Sequence, residues 1–174
     1  QILLPHSPSH LSSIQLPVRY DPAARCPKWE QITAQVFPAD GVAVAYELVA
    51  YLMRPDVSQQ TAFLFIGEGG NGKSTFLMAL IAFLGRLNVV NISLHRLETD
   101  RFAMARLIGK LANVCPDLPA DHLTSTSMFK AVVGGDYVSA ERKFQASFEF
   151  LPLTRLVFSA NHYPQSKDGS HALF

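Results

Sequence analysis

The spacing of apolar and polar positions changes along the chain, and each change marks an element. Trp29, Ile32 and Val36 fall at helical spacing behind Pro27, a residue suited to a first helical turn, and predict a helix over residues 27–36. Val44, Leu48, Tyr51 and Leu52 share one side of a second predicted helix, residues 41–53, which Pro55 stops. Ala62-Phe63-Leu64-Phe65-Ile66 is instead a short unbroken apolar run, the pattern of a strand buried on both faces of a parallel sheet. Glycines follow it. The pattern then predicts a helix over 74–84, a strand over 89–93, a helix over 101–109 and a strand over 111–115. A helix over 126–133, a polar and basic hairpin through 137–150 and a last strand over 156–159 complete the series. Strands that alternate with helices predict an α/β fold whose parallel sheet is covered on both faces.

Proline divides the chain unevenly. Six of the eleven prolines (Pro5, Pro8, Pro17, Pro22, Pro27, Pro38) lie in the first 38 residues, where fixed φ and missing N–H donors favour extended pieces and short helices. Residues 1–57 are therefore expected to form a proline-rich lead-in with a small helical module, and residues 58–174 the main domain. At 174 residues and 48% hydrophobic content, the chain is long enough to bury a core without staples. Cys26 and Cys115 are far apart and form no C-x-x-C pair, so neither a disulfide framework nor a zinc ribbon is expected, and a reducing cytoplasm is the simpler setting. His6, His10, His95, His122, His162 and His171 lack metal-ligand spacing. No apolar run reaches the roughly 18 residues of a membrane span, and the start Gln1-Ile2-Leu3-Leu4-Pro5 has no signal-peptide character, so a soluble protein without a membrane partner is expected. A net charge of +1 requires any nucleic-acid contact to come from a local cluster. The absence of an initial Met and the ending Ala172-Leu173-Phe174 suggest a fragment.

The strongest chemical signal is Gly67-Glu68-Gly69-Gly70-Asn71-Gly72-Lys73-Ser74, which satisfies G-x-x-x-x-G-K-S/T between a predicted strand and a predicted helix. Glycines allow positive φ, so the backbone N–H groups can turn inward as an anion nest, and the helix that follows aims its positive end at the same place. Lys73 would bridge the β- and γ-phosphates of ATP, and Ser74 would hold Mg²⁺. A site of this kind also needs a carboxylate at the end of a neighbouring strand. Asp117 stands there, with the alternative that it caps a loop turn between Pro116 and Pro119. Leu118 occupies the place where a second acid is usual, leaving the general base open. Asn161, after the last strand, emerges at the carboxyl edge of the sheet, where it could orient a water against the γ-phosphate or be an ordinary turn asparagine.

Several ordered blocks extend this picture: Tyr20-Asp21-Pro22 with Cys26-Pro27-x-Trp29, the loop with its Asn71-Gly72-Lys73-Ser74-Thr75 ending, Arg101-Phe102, and Gly109-Lys110-Leu111-Ala112-Asn113. Phe129-Lys130, Gly134-Gly135-Asp136, Ala140-Glu141-Arg142-Lys143-Phe144 and Phe158-Ser159-Ala160-Asn161, with Pro164, Asp168 and Ser170, follow in order. Together they resemble the superfamily-three helicases of the AAA+ class, in the phage and plasmid primase/helicase branch, over nearly the whole chain. The resemblance implies a P-loop NTPase fold with an inserted β-hairpin, and ATP and Mg²⁺ as cofactors. It implies a nucleotide site made of Gly67, Glu68, Gly69, Gly70, Asn71, Gly72, Lys73, Ser74 and Thr75, with Ser74 and Asp117 on the metal, and Lys73, Asp117 and Asn161 catalytic. It further implies self-association as a ring, expected to be a hexamer, on single-stranded or forked DNA in a bacterial host cytoplasm, with a fused or separate primase as a further partner. Lys130, Arg142 and Lys143 become strand contacts by the same resemblance; without it, the hairpin reads as a solvated charged turn. The arginines with which the family completes a neighbouring subunit's site would lie beyond Phe174. Two other readings share the phosphate loop: a P-loop small-molecule kinase, and a nucleotide-binding assembly or loading module without turnover.

Overall fold

The structure is a computed structural model and describes residues 4–5, 7–119 and 125–164. His6, His122, Asp168, Ser170, His171 and the ending 172–174 lie outside these residues. Four strands, β1 (Phe63–Ile66), β2 (Val89–Val90), β3 (Ala112–Cys115) and β6 (Arg155–Ala160), form a parallel sheet in the order β1-β6-β3-β2. Two short strands, β4 (Val138–Ala140) and β5 (Phe148–Phe150), pair antiparallel as a separate hairpin. Among the described residues five α-helices accompany them: α1 (Pro27–Val36), α2 (Gly41–Leu52), α3 (Lys73–Leu84), α4 (Leu94–Thr99) and α5 (Ser127–Gly134).

Alternation along the strands sorts the side chains into two cores. Leu156, Phe158 and Ala160 of β6 face a cluster with Leu97 of α4, Leu107, and Phe129 and Val132 of α5. Val157 of β6 and Val114 of β3 face the other way, onto Leu48 and Leu52 of α2 and Phe76, Leu77, Leu80 and Leu84 of α3. The period of two that directs alternate residues to opposite faces thus builds a three-layer α/β/α arrangement. The small N-terminal helices share the second core with α3. Trp29 stacks on Phe76 at 5.1 Å and 24°, and Phe37 meets the same ring edge-on at 4.7 Å.

Three elements differ from the expectations. The strand expected over 89–93 pairs only at Val89 and Val90. Beyond them the side chain of Asn113 replaces the ladder, accepting from Ile92 N–H at 2.8 Å and donating to Ile92 C=O at 2.9 Å. The chain can then turn into α4, which the sequence pattern did not reveal; Ser93 caps it by accepting from Arg96 N–H. The helix expected over 101–109 is only a 3-10 turn, Met104–Leu107. Asp100 accepts from Phe102 N–H at 3.0 Å, and the Thr154 hydroxyl donates to the carbonyls of Leu107 and Lys110, so side chains take up backbone groups that a helix would have paired.

At the opposite edge of the sheet from the glycine loop, Arg155 is buried at the start of β6. It donates to the Arg54 carbonyl at 3.2 Å, lies 3.6 Å from Asp56 and sits over the Tyr51 ring at 4.6 Å, tying the α2–β1 connection to the sheet. Among the described residues no helix is long and apolar enough to cross a membrane.

Candidate functional site

The glycine loop leaves the end of β1, crosses the carboxyl edge of the sheet and enters α3 at Lys73. Its shape depends on residues without side chains. Gly70 and Gly72 have φ of 80° and 87°, in the left-handed region, and a Cβ at Gly72 would lie 2.5 Å from Val36 Cγ2. The end of α1 therefore backs the loop so closely that only hydrogen fits at residue 72. Gly72 caps α3 with no side chain of its own, and only Lys73 N–H finds a side-chain acceptor, Asn71 Oδ1 at 3.5 Å, so the following first-turn N–H groups at the positive end of a 12-residue helix remain available to an anion.

Lys73 folds back across the loop. Its ammonium donates to the carbonyl of Gly67, to that of Glu68 at 3.0 Å and to Asn71 Oδ1 at 3.0 Å. Its three donors thus meet three uncharged acceptors, for which phosphate oxygens would be stronger substitutes. The backbone N–H of Gly67 donates to Ala160 C=O at 3.3 Å, fixing the loop's first residue to the end of β6.

Two strand ends complete the site. The loop after β3 is held against β6 from both sides, since Ser159 Oγ donates to the Pro116 carbonyl and Leu118 N–H donates to the Ser159 carbonyl at 2.8 Å. Between these two ties Asp117 is exposed, and among the described residues its carboxylate accepts no capping bond. Asn161 is exposed immediately after β6. Both line one cavity of about 460 Å³, together with residues 69–75 and with Pro116, Ser159 and Ala160. Gly67 and Glu68 are not part of that lining and reach the site through the carbonyls that hold Lys73. Lys73 is the one cation and Asp117 the one carboxylate of the lining among the described residues. No group of three or more His, Cys, Asp or Glu side chains that could hold a metal exists among those residues. The side-chain oxygens of the lining include the Ser74 and Thr75 hydroxyls, the Asn71 and Asn161 amides and the Asp117 carboxylate.

Two participants were missed in the sequence. Ser159 is a fully buried polar residue within an apolar strand, and that contrast was a usable signal. Val36 gave none, because its approach to Gly72 depends on how α1 packs.

Arg142 and Lys143 are exposed in the loop joining β4 to β5, away from the cavity lining. Lys130 lies on α5 instead and is half-buried. Arg101 pairs with Glu141 at 3.6 Å, and the Arg142 guanidinium sits 5.3 Å from the centre of the Phe148 ring.

The two thiols should differ sharply in reactivity. Cys26 is exposed, whereas Cys115 is buried at the end of β3, and burial pushes its thiol above the ordinary value. A raised value means less thiolate at neutral pH. Peptide mass spectrometry after brief alkylation should find Cys26 modified and Cys115 intact until the protein is unfolded. Rapid modification of Cys115 in folded protein would contradict the tight β3–β6 packing beneath Asp117.

No curated protein matches the chain. Three solved structures of the NrS-1 C-terminal region do. An apo A form matches with a TM-score of 0.67 and 15% identity, covering 84% of this chain and 36% of that one. An apo structure of residues 305–718 matches with a TM-score of 0.67 and 17% identity over the same shares. An A form of that region gives 0.62 and 14%, again covering 84% and 36%. The chain thus spans about a third of the length of these structures (36%), and the likeness is one of fold. A sequence profile also matches residues 65–171, well over half of the chain, from within β1 through the glycine loop, Asp117, the hairpin and Asn161. By that match the chain belongs to DUF5906, a family of unknown function.

Proposed function

We propose that the chain is the ATPase motor of a DNA helicase of the superfamily-three, AAA+ type, serving replication of a phage or plasmid. One observation carries the reading: a glycine loop opening a helix, one lysine, one strand-end carboxylate and one strand-end amide converge on a single cavity. In this reading the first N–H groups of α3 and the loop receive the phosphates of ATP. Lys73 exchanges the Gly67, Glu68 and Asn71 acceptors for β- and γ-phosphate oxygens, without a change in the backbone that carries it. Asn161 orients the attacking water. Asp117, with Leu118 rather than a second acid beside it, carries the carboxylate role alone. Ser74 and Asp117 would hold Mg²⁺, and this sparse oxygen set suits a cation that keeps several waters and takes substrate phosphate oxygens. The bound cation would offset the negative charge that develops on the transferring group. An apolar groove of about 380 Å³ lined by Val36, Phe37, Pro38 and Ala45 adjoins Asn71 and Lys73 and gives the base of a nucleotide a place beside the phosphates.

The hairpin supplies the contact to DNA, through Arg142 and Lys143 with Lys130 in support, and the motor works as a ring, proposed to be a hexamer. The second reading, a nucleotide-binding loading module without turnover, is favoured by the single cation among the described residues of the cavity lining, since phosphoryl transfer usually enlists more positive charge. Phosphate release with and without single-stranded DNA separates the readings. A motor is stimulated by the strand, a loading module binds ATP without release, and a small-molecule kinase responds to an acceptor rather than to DNA.

Replacing Arg142 and Lys143 together with alanine should weaken single-stranded DNA binding on all sequences alike. Two lost phosphate contacts should flatten the slope of log K against log salt by about 1.4 units, at roughly 0.7 per contact. An unchanged slope, measured by anisotropy across a salt series, would return these residues to a solvated turn.

A further inference from the structure

The tip of the hairpin carries a feature that neither the core nor the turn explains. Gln145 N–H donates to the Arg142 carbonyl at 3.1 Å, closing a turn with Lys143 and Phe144 at its two corners. Phe144 has φ of 62°, in the left-handed region, at a corner where glycine or asparagine is the usual choice. A bulky side chain there is strained, and this strain returns nothing to the core, because Phe144 is 103% exposed. The other two rings of the hairpin behave differently. Phe148 and Phe150 stand 6.2 Å apart and pack against the main core, so the base of the hairpin is anchored while its tip projects.

Charge at the tip is one-sided. Glu141 is paired with Arg101, while Lys143 is exposed at the corner beside Phe144 and Arg142 lies on the preceding position, over Phe148. A wholly exposed ring that follows two cations directly in sequence, with polar Gln145 after it, does not suit a dry protein interface. It suits a polymer that alternates flat π-faces with negative charges. We propose that Phe144 is a base-stacking contact for single-stranded nucleic acid, with Arg142 and Lys143 on the flanking phosphates. The proposal rests on the reading of the hairpin as a contact to single-stranded DNA and adds to the phosphate contacts one to the base faces themselves. A duplex keeps its base faces stacked and offers this ring nothing, whereas every unpaired base presents a face regardless of sequence.

The test compares a short thymidine oligonucleotide with an abasic one of equal length, by fluorescence anisotropy over a salt series. The wild-type chain should bind the thymidine strand more tightly by on the order of 5- to 150-fold, the range that one stacked base supplies. Phe144→Ala should bind both strands alike and keep the wild-type salt slope. Phe144→Trp should restore the preference, and Phe144→Leu, apolar but without a π-face, should not. The Arg142 and Lys143 double variant should keep the preference and lose slope. Equal binding of both strands by the wild type, or an undiminished preference in Phe144→Ala, would overturn stacking while leaving the electrostatic contact intact. Binding of neither strand would overturn the DNA reading itself. A change in sedimentation of Phe144→Ala without a change in strand preference would assign the ring to an interface between copies instead. Because the ring is wholly exposed, the Phe144 variants should fold.

Discussion

Lys73→Ala is expected to remove most binding of ATP and to lower phosphate release by on the order of 10²-fold or more, the scale of losing one stabilising group from a preorganised charge site. Lys73 is the sole cation of the cavity lining among the described residues. No other side chain of that lining can replace its charge. The fold should survive, because Lys73 lies outside both apolar cores, and the α3 residues that anchor the helix, Phe76, Leu77, Leu80 and Leu84, are untouched. The variant does lose three hydrogen bonds to Gly67, Glu68 and Asn71, so the loop itself should loosen. Calorimetric titration with Mg²⁺ and ATP, beside a circular-dichroism melt, checks both halves. A folded variant that binds and turns over ATP like the wild type would remove the phosphate role from this loop.

Asp117→Asn should act on a different quantity. The substitution keeps size and removes charge, and the backbone ties around residue 117, from Ser159 to Pro116 and from Leu118 to Ser159, do not use the carboxylate. Binding of ATP without Mg²⁺ should therefore persist, or tighten as a negative charge leaves the neighbourhood of the triphosphate. The enhancement of binding by Mg²⁺ should fall, and hydrolysis should drop by on the order of 10²-fold. The readout is a pair of ATP titrations, with Mg²⁺ and with chelator. Equal losses in both would mean that Asp117 shapes the pocket and does not serve the metal.

The loop's place between β1 and α3 and its positive-φ turns were legible because they are set locally. Four glycines, a lysine and a serine within eight positions state both the backbone shape and the charge, and the strand and helix around them follow from Phe63-Leu64-Phe65-Ile66 and the apolar pattern after it. The α/β alternation and the ends of β3 and β6 were legible for the same reason, and these ends place Asp117 and Asn161. What escaped depends on contacts across the chain. The shortening of β2 is decided by Asn113, 21 positions away from Ile92, and no pattern within residues 89–93 contains that information. The 3-10 turn at Met104–Leu107 is set in part locally, by Asp100 on Phe102, and in part by Thr154 from the far side of the hairpin, which no pattern within residues 101–109 contains. Val36 behind Gly72 belongs to the same class, whereas Ser159 beneath Asp117 left a trace as a polar residue in an apolar strand, though its partner Pro116 is set only by the fold.

The most direct test is a crystal structure of the chain with Mg²⁺ and a non-hydrolysable ATP analogue. The expected result is β- and γ-phosphates against the N–H groups of residues 70–75, with Lys73 Nζ moved from the Gly67 and Glu68 carbonyls onto phosphate oxygen and Asp117 facing the cation. A structure in which Lys73 keeps its bonds to Gly67, Glu68 and Asn71 while the analogue sits elsewhere, or does not bind at all, would contradict the nucleotide site.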